Sequence, residues 1–185
     1  MKLGIIADTH GNLAGWERAW EVALAGSDLI LHAGDVLYHG PKFDPVEGWG
    51  PKGLAAALNE CPVPVVIARG NGDSEVDQLV LAMPVQSPYA FVQHEGLRIL
   101  VAHGHIAPPE DLLPLAERWG VGLLVTGHTH CPALARHGSV LHVNPGTVTY
   151  PLAKDPSLQR HTCAVWEDGQ VTHLDVETGE VVAVS

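Results

Sequence analysis

The chain has 185 residues, of which 46% are hydrophobic, and its formal net charge is -11 with only ten Lys and Arg residues. This length and hydrophobic content predict one domain over residues 1–185, with a core built mainly from Val, Leu, Ile and Ala. The scarcity of basic residues argues against a nucleic-acid partner, because such binding needs a basic face for the phosphates.

The first half of the chain alternates predicted strands and helices. Residues 3–7 form a short apolar run typical of a buried strand, and residues 13–25 have a helical pattern with Asn12 as N-cap and Gly26 just after the end. Three further elements are predicted here: a strand over 28–32, a helix over 53–59 and a strand over 63–68. The strand–helix–strand order predicts a right-handed unit of parallel strands.

Residues 34–53 are predicted to form a long loop, because they include five glycines and three prolines. Long loops inside compact domains are usually functional or mobile. This one carries four aromatic or imidazole side chains: Tyr38, His39, Phe43 and Trp49. They could cap an active site or form a subunit contact, and the sequence leaves both interpretations open.

The second half is predicted to consist mainly of hairpins. Strands over 89–94 and 97–103 are joined by a turn at Glu95-Gly96, and a turn at Asp168-Gly169 is a strong hairpin signal. The remaining predicted elements are a helix over 109–119, a strand over 121–126, hairpin strands over 133–137, 140–143, 162–167 and 170–176, and an edge strand over 181–184.

Cysteine usage and apolar run lengths indicate the compartment. Cys61, Cys131 and Cys163 are widely spaced and odd in number, which fits a reducing environment better than a disulfide framework. The apolar stretch over 3–7 is too short for a signal peptide, and no apolar run approaches the roughly 20 residues that span a bilayer. We therefore expect a cytoplasmic protein without a membrane partner.

Metal-ligand residue types follow directly after several predicted strands. They occur in five segments: Asp8-Thr9-His10, Gly34-Asp35, Gly70-Asn71-Gly72-Asp73, His103-Gly104-His105 and Gly127-His128-Thr129-His130. Strand ends gathered at one sheet edge are where α/β proteins build sites. Oxygen and nitrogen ligands without a nearby cysteine pair favour Mn, Zn, Fe or Ni over a structural zinc site. Two adjacent ions of this kind most often hydrolyse a phosphate ester.

In this order, the five segments resemble the calcineurin-like metallophosphoesterase family, and Asn144-Pro145-Gly146-Thr147 is similar to a further signature of that family. The best match is the small bacterial and archaeal phosphodiesterase branch. The resemblance implies an α/β fold, a two-sheet β-sandwich flanked by helices in four layers (αββα). It also implies a metal-dependent phosphodiesterase, in which a hydroxide bridging two divalent ions attacks the phosphorus of a small phosphate ester. Mn is the ion expected first.

The resemblance also implies a role for each matching residue. It assigns ligands to two ions: Asp8, His10 and His130 to the first, Asn71, His103 and His128 to the second, and Asp35 to both. Asp73 would not bind metal itself but would orient the imidazole of a ligand histidine. The implied catalytic residues are Asp35, Asn71 and Asp73.

Position 72 departs from the pattern of many family members. Gly72 stands where they carry a histidine that protonates the leaving group or stabilises the transition state. Its absence predicts slower turnover of poor leaving groups, with activated diesters preferred over unactivated monoesters, or a role taken by another residue. The absence also fits the small phosphodiesterase branch.

Three rival functions share this fold. A non-catalytic scaffold, like the retromer subunit, predicts eroded ligand positions. A nuclease would need a basic groove, and a dinucleotide polyphosphate hydrolase normally keeps the histidine replaced by Gly72. The sequence does not determine whether the chain forms a homo-oligomer.

Other polar and aromatic residues have simpler interpretations. His105 is predicted to lie on the surface and His32 to be buried structure. Arg69 could contact phosphate or form a salt bridge. Trp16, Trp20 and Trp119 are predicted to pack helices against a sheet, and four histidines to be surface or hairpin residues: His137, His142, His161 and His173.

Overall fold

The computed structural model of the chain describes residues 1–182 and 184. Its strands are β1 (Lys2–Ile6), β2 (Leu29–His32), β3 (Val65–Ala68), β4 (Val85–Gln86), β5 (Ala90–His94), β6 (Leu97–Val101), β7 (Leu123–Val125), β8 (Pro132–His137), β9 (Val140–Pro145), β10 (Thr162–Glu167), β11 (Gln170–Asp175) and β12 (Val181–Val182). Its α-helices are α1 (Leu13–Ala19), α2 (Pro51–Asn59), α3 (Glu75–Val80) and α4 (Pro109–Arg118). The predicted edge strand over 181–184 includes residue 183, which lies outside the described residues.

The strands form two mixed sheets. The larger has seven strands in the order β12-β11-β10-β1-β2-β3-β4, and the smaller has five in the order β5-β6-β7-β9-β8. Strands β1 to β4 run parallel, as predicted for β1 and β2, and β10 extends the sheet antiparallel to β1. Among the described residues, no helix is long and apolar enough to cross a membrane.

Three apolar clusters separate four layers. Leu3 of the larger sheet and Ile99 of the smaller sheet belong to the cluster between the sheets. Ile6 packs with Trp16 of α1 on the outer face of the larger sheet, and Leu112 of α4 belongs to the cluster that covers the smaller sheet. The resulting helix–sheet–sheet–helix order confirms the predicted αββα architecture.

Successive side chains of β1 point to opposite faces of the larger sheet, so the strand contributes to two apolar clusters. Leu3 and Ile5 belong to the cluster between the sheets, whereas Ile6 belongs to the cluster under the helices, as expected for a two-residue side-chain period. Gly4 lies on the helix side, where a Cβ would come within 2.8 Å of Leu24 Cδ2. The absence of a side chain at Gly4 therefore lets the helical layer pack close to the strand.

The helix predicted over 13–25 changes geometry part-way. Asn12 is its N-cap, as predicted, and its side-chain oxygen accepts the Gly15 N–H at 2.9 Å. The α-helix ends at Ala19, and a π-helical turn over Trp20–Leu24 follows. This turn is closed by the Ala25 N–H, which donates to the Trp20 carbonyl at 3.0 Å.

Two short elements, α3 and β4, lie where no element was predicted. No residue of α3 is buried, so the segment lacks the apolar periodicity that identifies a helix. It is started instead by a capping box, in which Ser74 and Asp77 exchange hydrogen bonds with each other's backbone N–H. Local capping rather than core packing therefore defines this helix.

Two histidines predicted to be surface or hairpin residues are buried. His142 is 7% exposed and His173 is 2% exposed. All six residues of β9, which carries His142, are buried. His142 Nε2 lies 2.9 Å from Thr126 Oγ1, and His173 Nε2 donates to the Asn144 carbonyl at 2.8 Å. Hydrogen bonding to interior groups thus offsets the burial of both rings. His32 is fully buried, as predicted.

The buried His142 predicts a pH-dependent stability. Burial, with a smaller contribution from His137, lowers the pKa of His142 to about 4. An unfolded chain titrates its histidines near pH 6.5, so between about pH 6.5 and 4 the unfolded state binds a proton that the folded state does not. Stability must therefore fall as the pH falls through this window.

We expect His142 to account for up to about 3 kcal/mol of the unfolding free energy lost between pH 7 and pH 4. Urea unfolding of wild type and His142→Gln at both pH values measures this difference. Identical pH dependence in the two proteins would show that His142 is not the titrating group.

Candidate metal centre

The predicted ligand residues meet where five strands end. Asp8 and His10 follow β1, Asp35 follows β2, Asn71 follows β3, His103 follows β6, and His128 and His130 follow β7. Five of these seven residues are buried, and only Asn71 and His128 are exposed. The loops therefore converge as the sequence predicted.

One compact group of ligand atoms is formed by Asp8, His10 and His130. The His130 Nε2 atom lies 3.4 Å from Asp8 Oδ1 and 3.1 Å from His10 Nε2. All three side chains are buried. The group therefore offers one carboxylate oxygen and two ring nitrogens to the same point in space.

A second compact group is formed by Asp8, Asp35 and His103. His103 Nε2 lies 3.5 Å from Asp35 Oδ1 and 3.2 Å from Asn71 Oδ1. The other carboxylate oxygen, Asp35 Oδ2, lies 3.8 Å from His10 Nε2. The Asp35 carboxylate thus lies between the two groups, and Asp8 belongs to both.

Backbone carbonyls orient three of the imidazoles. The Nδ1 atoms of His10, His103 and His130 lie 2.6, 2.7 and 2.8 Å from the carbonyls of Tyr38, Ala33 and Tyr150, respectively. A carbonyl can only accept, so Nδ1 carries the hydrogen, and Nε2 of the neutral ring presents a lone pair. This second hydrogen bond is the arrangement that fixes the tautomer of metal-binding histidines.

The site leaves acceptors that a cation would satisfy. Asp8 Oδ1 is buried and has no hydrogen-bond partner among the described residues. His10 Nε2 and His130 Nε2 face each other at 3.1 Å, and in the neutral rings both are acceptors. Unpaired buried acceptors are costly, and carboxylate, amide and imidazole donors suit divalent transition metals. The residues present therefore fit a divalent metal centre.

Electrostatics within the first group favours an ionised carboxylate. Burial raises the pKa of Asp8, but the neighbouring His130, His103 and His10 outweigh this and hold the pKa below its usual value. For His130, burial lowers the pKa, while its contact with Asp8 raises it by more. A bound ion would compete with protonation of His130, so metal binding should release protons.

The backbone is strained at the predicted ligands. Among the described residues, seven that are not glycine have positive φ, and two of these occupy hairpin turns, Glu95 and Asp168. The other five are Asp8 (53°), His10 (46°), Asp35 (56°), His128 (68°) and His130 (57°). Each such residue costs about 1 kcal/mol or more, and strain of this kind clusters at functional sites.

Side chains of the segment 144–149 hold two of the strained loops. Thr147 Oγ1 donates to the Asp8 carbonyl and Thr149 Oγ1 to the Thr9 carbonyl, both at 2.8 Å. Asn144 Nδ2 donates to the Gly127 carbonyl at 2.8 Å. The Asn144-Pro145-Gly146-Thr147 signature thus fixes the ligand loops after β1 and β7. No spacing rule singles out Thr149, so the sequence did not predict its role.

Asp73 does not orient an imidazole, and this part of the prediction was wrong. Its buried carboxylate accepts three backbone N–H groups, from Asp35 at 2.9 Å, Val36 at 2.7 Å and Gly70 at 2.7 Å. Burial, aided by the nearby charge of Asp35, raises the pKa of Asp73 despite these bonds. Asp73 therefore ties the loop after β3 to the loop that carries Asp35.

Asp73→Asn is expected to weaken metal binding without removing a ligand. The amide has one acceptor oxygen instead of two, so at least one of the three N–H groups loses its partner. We expect the dissociation constant for Mn to rise about 10- to 100-fold, as for other groups that support ligands. Calorimetric titration measures it, with Asp77→Asn in the α3 capping box as control. Equal effects of the two substitutions would contradict this role.

The loop over 34–53 covers one side of the site. Phe43 stacks on Tyr150 with ring centroids 4.3 Å apart, and the Tyr150 hydroxyl donates to the Asp44 carbonyl at 2.9 Å. Trp49 Nε1 donates to the His10 carbonyl at 3.1 Å. Its aromatic side chains therefore contact the site within the same chain. Together, loop and site enclose a cleft of about 370 Å³.

Three further predicted residues lie around the second group. His105 is exposed, as predicted, and its ring centroid lies 5.2 Å from that of His103. His128 lies outside both compact groups, with its ring 5.0 Å from that of His103 and its N–H donating to Asp8 Oδ2 at 3.0 Å. Arg69 Nε donates to the Asp73 carbonyl at 3.1 Å.

Comparisons with known proteins agree with the site. The calcineurin-like phosphoesterase superfamily domain matches residues 1–167. The chain is 40% identical over 158 residues to phosphodiesterase YfcE of Escherichia coli K12, which covers 85% of this chain and 84% of that protein. It is 29% identical over 168 residues to a probable metallophosphoesterase of Methanothermobacter thermautotrophicus, covering 85% and 83% of the two chains.

A solved structure extends the likeness to the whole fold. The structure of YfcE, a phosphoesterase from E. coli, has a TM-score of 0.83 with this chain at 32% identity, covering 99% of this chain and 97% of the other. Sequence motifs, domain match and architecture thus lead to the same assignment. The chain belongs to the calcineurin-like phosphoesterase superfamily and, within it, to the branch of small bacterial and archaeal phosphodiesterases.

Proposed function

We propose that the protein is a phosphodiesterase that hydrolyses a small phosphate ester with two divalent ions, of which Mn is expected first. The observation that carries the proposal is the pair of compact ligand groups with Asp35 between them. The buried, unpartnered oxygen of Asp8 supports it. A non-catalytic scaffold of the same fold has no need for five strained ligand residues or an unpaired buried acceptor.

We assign the ligands to two ions: Asp8, His10 and His130 to one, Asn71, His103 and His128 to the other, and Asp35 to both. When bound, the ions would activate a water molecule and offset the charge that develops on the phosphoryl oxygens. The carbonyls of Tyr38, Ala33 and Tyr150 keep the ligand Nε2 atoms free of hydrogen. Asp73 accepts the N–H groups of Asp35 and Gly70, and it thereby holds the loop of Asp35 next to the loop that carries Asn71.

Position 72 determines which leaving groups we expect the enzyme to accept. Gly72 contributes only a backbone N–H, which donates to Asp35 Oδ1 at 2.6 Å. It has no side chain that could protonate a departing alkoxide, so a poor leaving group receives no help from this position. A phenolate-like group needs little protonation, and activated diesters should be preferred.

The size of the cleft and the cysteines agree with a small substrate in a reducing compartment. A cleft of about 370 Å³ lies near the lower end of the roughly 300–1,000 Å³ range of ligand pockets. Cys61, Cys131 and Cys163 are free thiols. Cytoplasmic action therefore remains our expectation.

Hydrolysis by metal-depleted and Mn-loaded protein tests the proposal. We expect bis(p-nitrophenyl) phosphate to be cleaved only after Mn is restored, and ethyl phosphate to be cleaved at least about 100-fold more slowly, since protonation of a leaving group contributes at least this much. Full diester hydrolysis in metal-depleted protein would contradict the metal-dependent mechanism. Equal rates on the two substrates would contradict the role given to Gly72.

A further inference from the structure

The cleft beside the metal ligands has an apolar wall. Ligand residues lie in its lining together with side chains from the loop over 34–53 and with Leu152. Tyr38 and Leu152 are large, partly apolar side chains that remain 46% and 48% exposed. Exposed apolar side chains beside a few converging polar groups are typical of a ligand-binding site.

The part of this wall that belongs to the loop over 34–53 is tied to a predicted metal ligand before any substrate binds. The Tyr38 carbonyl accepts the Nδ1–H of His10 at 2.6 Å, so the backbone that carries the Tyr38 ring is tied to a ligand. Farther along the loop, Phe43 stacks on Tyr150 at 4.3 Å and 12°, and Tyr150 in turn binds the Asp44 carbonyl. A wall of this kind loses little conformational entropy on binding a ligand.

The charge of the cleft limits the number of phosphates that it can take. Among the described residues that line it, Lys42 is the only Lys or Arg. A polyphosphate or a nucleic-acid strand would bring several phosphates against this one cation and the metal ligands. A single phosphodiester with an uncharged, flat ester group matches both the charge and the apolar wall.

We propose that Tyr38 and Leu152 form a subsite for the ester group that stays on the phosphate, and that this subsite selects diesters with a flat apolar group such as an aryl ring. The inference rests on the proposed phosphodiesterase function. In the reaction, the oxygen of a water molecule bonds to phosphorus and the bond to the departing ester oxygen breaks. The water gives up one proton, the departing group leaves as an alcohol or phenol (or its anion, with the proton passing to solvent), and the other product is a monoester that keeps the apolar group. Gly72 also lines the cleft and, without a side chain, leaves room for the departing group.

Two substrates with the same leaving group isolate this subsite. Bis(p-nitrophenyl) phosphate and methyl p-nitrophenyl phosphate both release p-nitrophenolate, and they differ only in the group that stays. We expect wild type to prefer the aryl diester in kcat/KM. The double variant Tyr38→Ser, Leu152→Ser should reduce that preference about three- to tenfold, the value of one aromatic contact, mainly through a higher KM for the aryl diester.

Phe91→Ser is the matched control, because Phe91 is 49% exposed on β5 and does not line the cleft. It should keep the wild-type preference. Mn titration of each variant checks the metal site, to which Tyr38 contributes only its carbonyl. If wild type cleaves neither substrate, the proposed function fails. If it cleaves both and the double variant keeps the wild-type ratio, the subsite is refuted and the function stands.

Discussion

Replacing Asp35 with alanine is expected to abolish diester hydrolysis and to release both metal ions together. Its Oδ1 lies 3.5 Å from His103 Nε2 and its Oδ2 lies 3.8 Å from His10 Nε2, so the substitution removes the carboxylate that lies between the two ligand groups. The loss in kcat/KM should exceed about 100-fold, the upper end of the range for groups that only support ligands. Diester hydrolysis and calorimetric Mn titration measure the two effects.

His105→Ala is the matched control for Asp35→Ala. His105 is exposed, and its ring lies 5.2 Å from that of His103 without belonging to either ligand group. Mn should raise the melting temperature of this variant as in wild type, but not that of Asp35→Ala, because only a bound ion stabilises the folded state. If His105→Ala is as damaging as His103→Ala, the ligand assignment is wrong.

Gly70→Ala should be nearly as damaging, although it removes no ligand atom. A Cβ at Gly70 would overlap Asp35 Oδ1 and the Asp35 backbone nitrogen, and it would lie 2.9 Å from Asp35 Cγ. These atoms belong to a loop that is already strained at Asp35, where φ is 56°. These Asp35 atoms cannot move away from the added Cβ without displacing the Asp35 carboxylate from the predicted metal site. We expect a loss of about 2–3 kcal/mol in unfolding free energy, together with loss of Mn binding.

Gly72→Ala provides the comparison for Gly70→Ala within the same loop. Its Cβ would lie 3.2 Å from the same Asp35 oxygen, a contact that a shift of a few tenths of an ångström relieves. We expect this variant to lose less than about 1 kcal/mol and to keep Mn. Urea unfolding of the metal-free proteins and Mn titration compare the two. Equal behaviour would show that the close approach at Gly70 does not position Asp35.

Those parts of the fold were predictable in which the residue types themselves favour a particular local structure. Both hairpin turns, Glu95-Gly96 and Asp168-Gly169, were predicted from their residues, and each residue of the two turns has positive φ. The helix α3 was not predicted, because none of its residues is buried. His142 and His173 lie on hairpin strands, one of the two placements predicted for them, but their burial was not predicted. Hydrogen bonds to interior groups, which no local sequence pattern shows, permit it.

The ligand segments were predictable for a different reason. Carboxylate, amide and imidazole side chains after strand ends are visible in the sequence, and the structure brings them together. What orients them is backbone, namely the carbonyls of Tyr38, Ala33 and Tyr150 and the amides bound by Asp73. Every residue has these groups, so only the paths of the loops decide which ones reach the site.

The positive φ values at the ligands were also beyond sequence reasoning. Left-handed backbone is expected at glycine and, less often, at Asn, Asp or His, but no sequence pattern shows which of the twelve histidines adopt it. His10, His128 and His130 adopt it nonetheless. Hydrogen bonds from residues distant in sequence, such as Thr147 and Asn144, hold this geometry. No local sequence pattern predicts these bonds.

The central claim is that this cluster of strand ends holds two metal ions that share Asp35. Anomalous diffraction from crystals of the Mn-loaded protein tests it most directly. We predict two Mn peaks, one bonded to Asp8, His10 and His130 and the other to Asn71, His103 and His128, with the Asp35 carboxylate bonded to both. A single peak in Mn-saturated crystals, or two peaks that do not share Asp35, would contradict the claim.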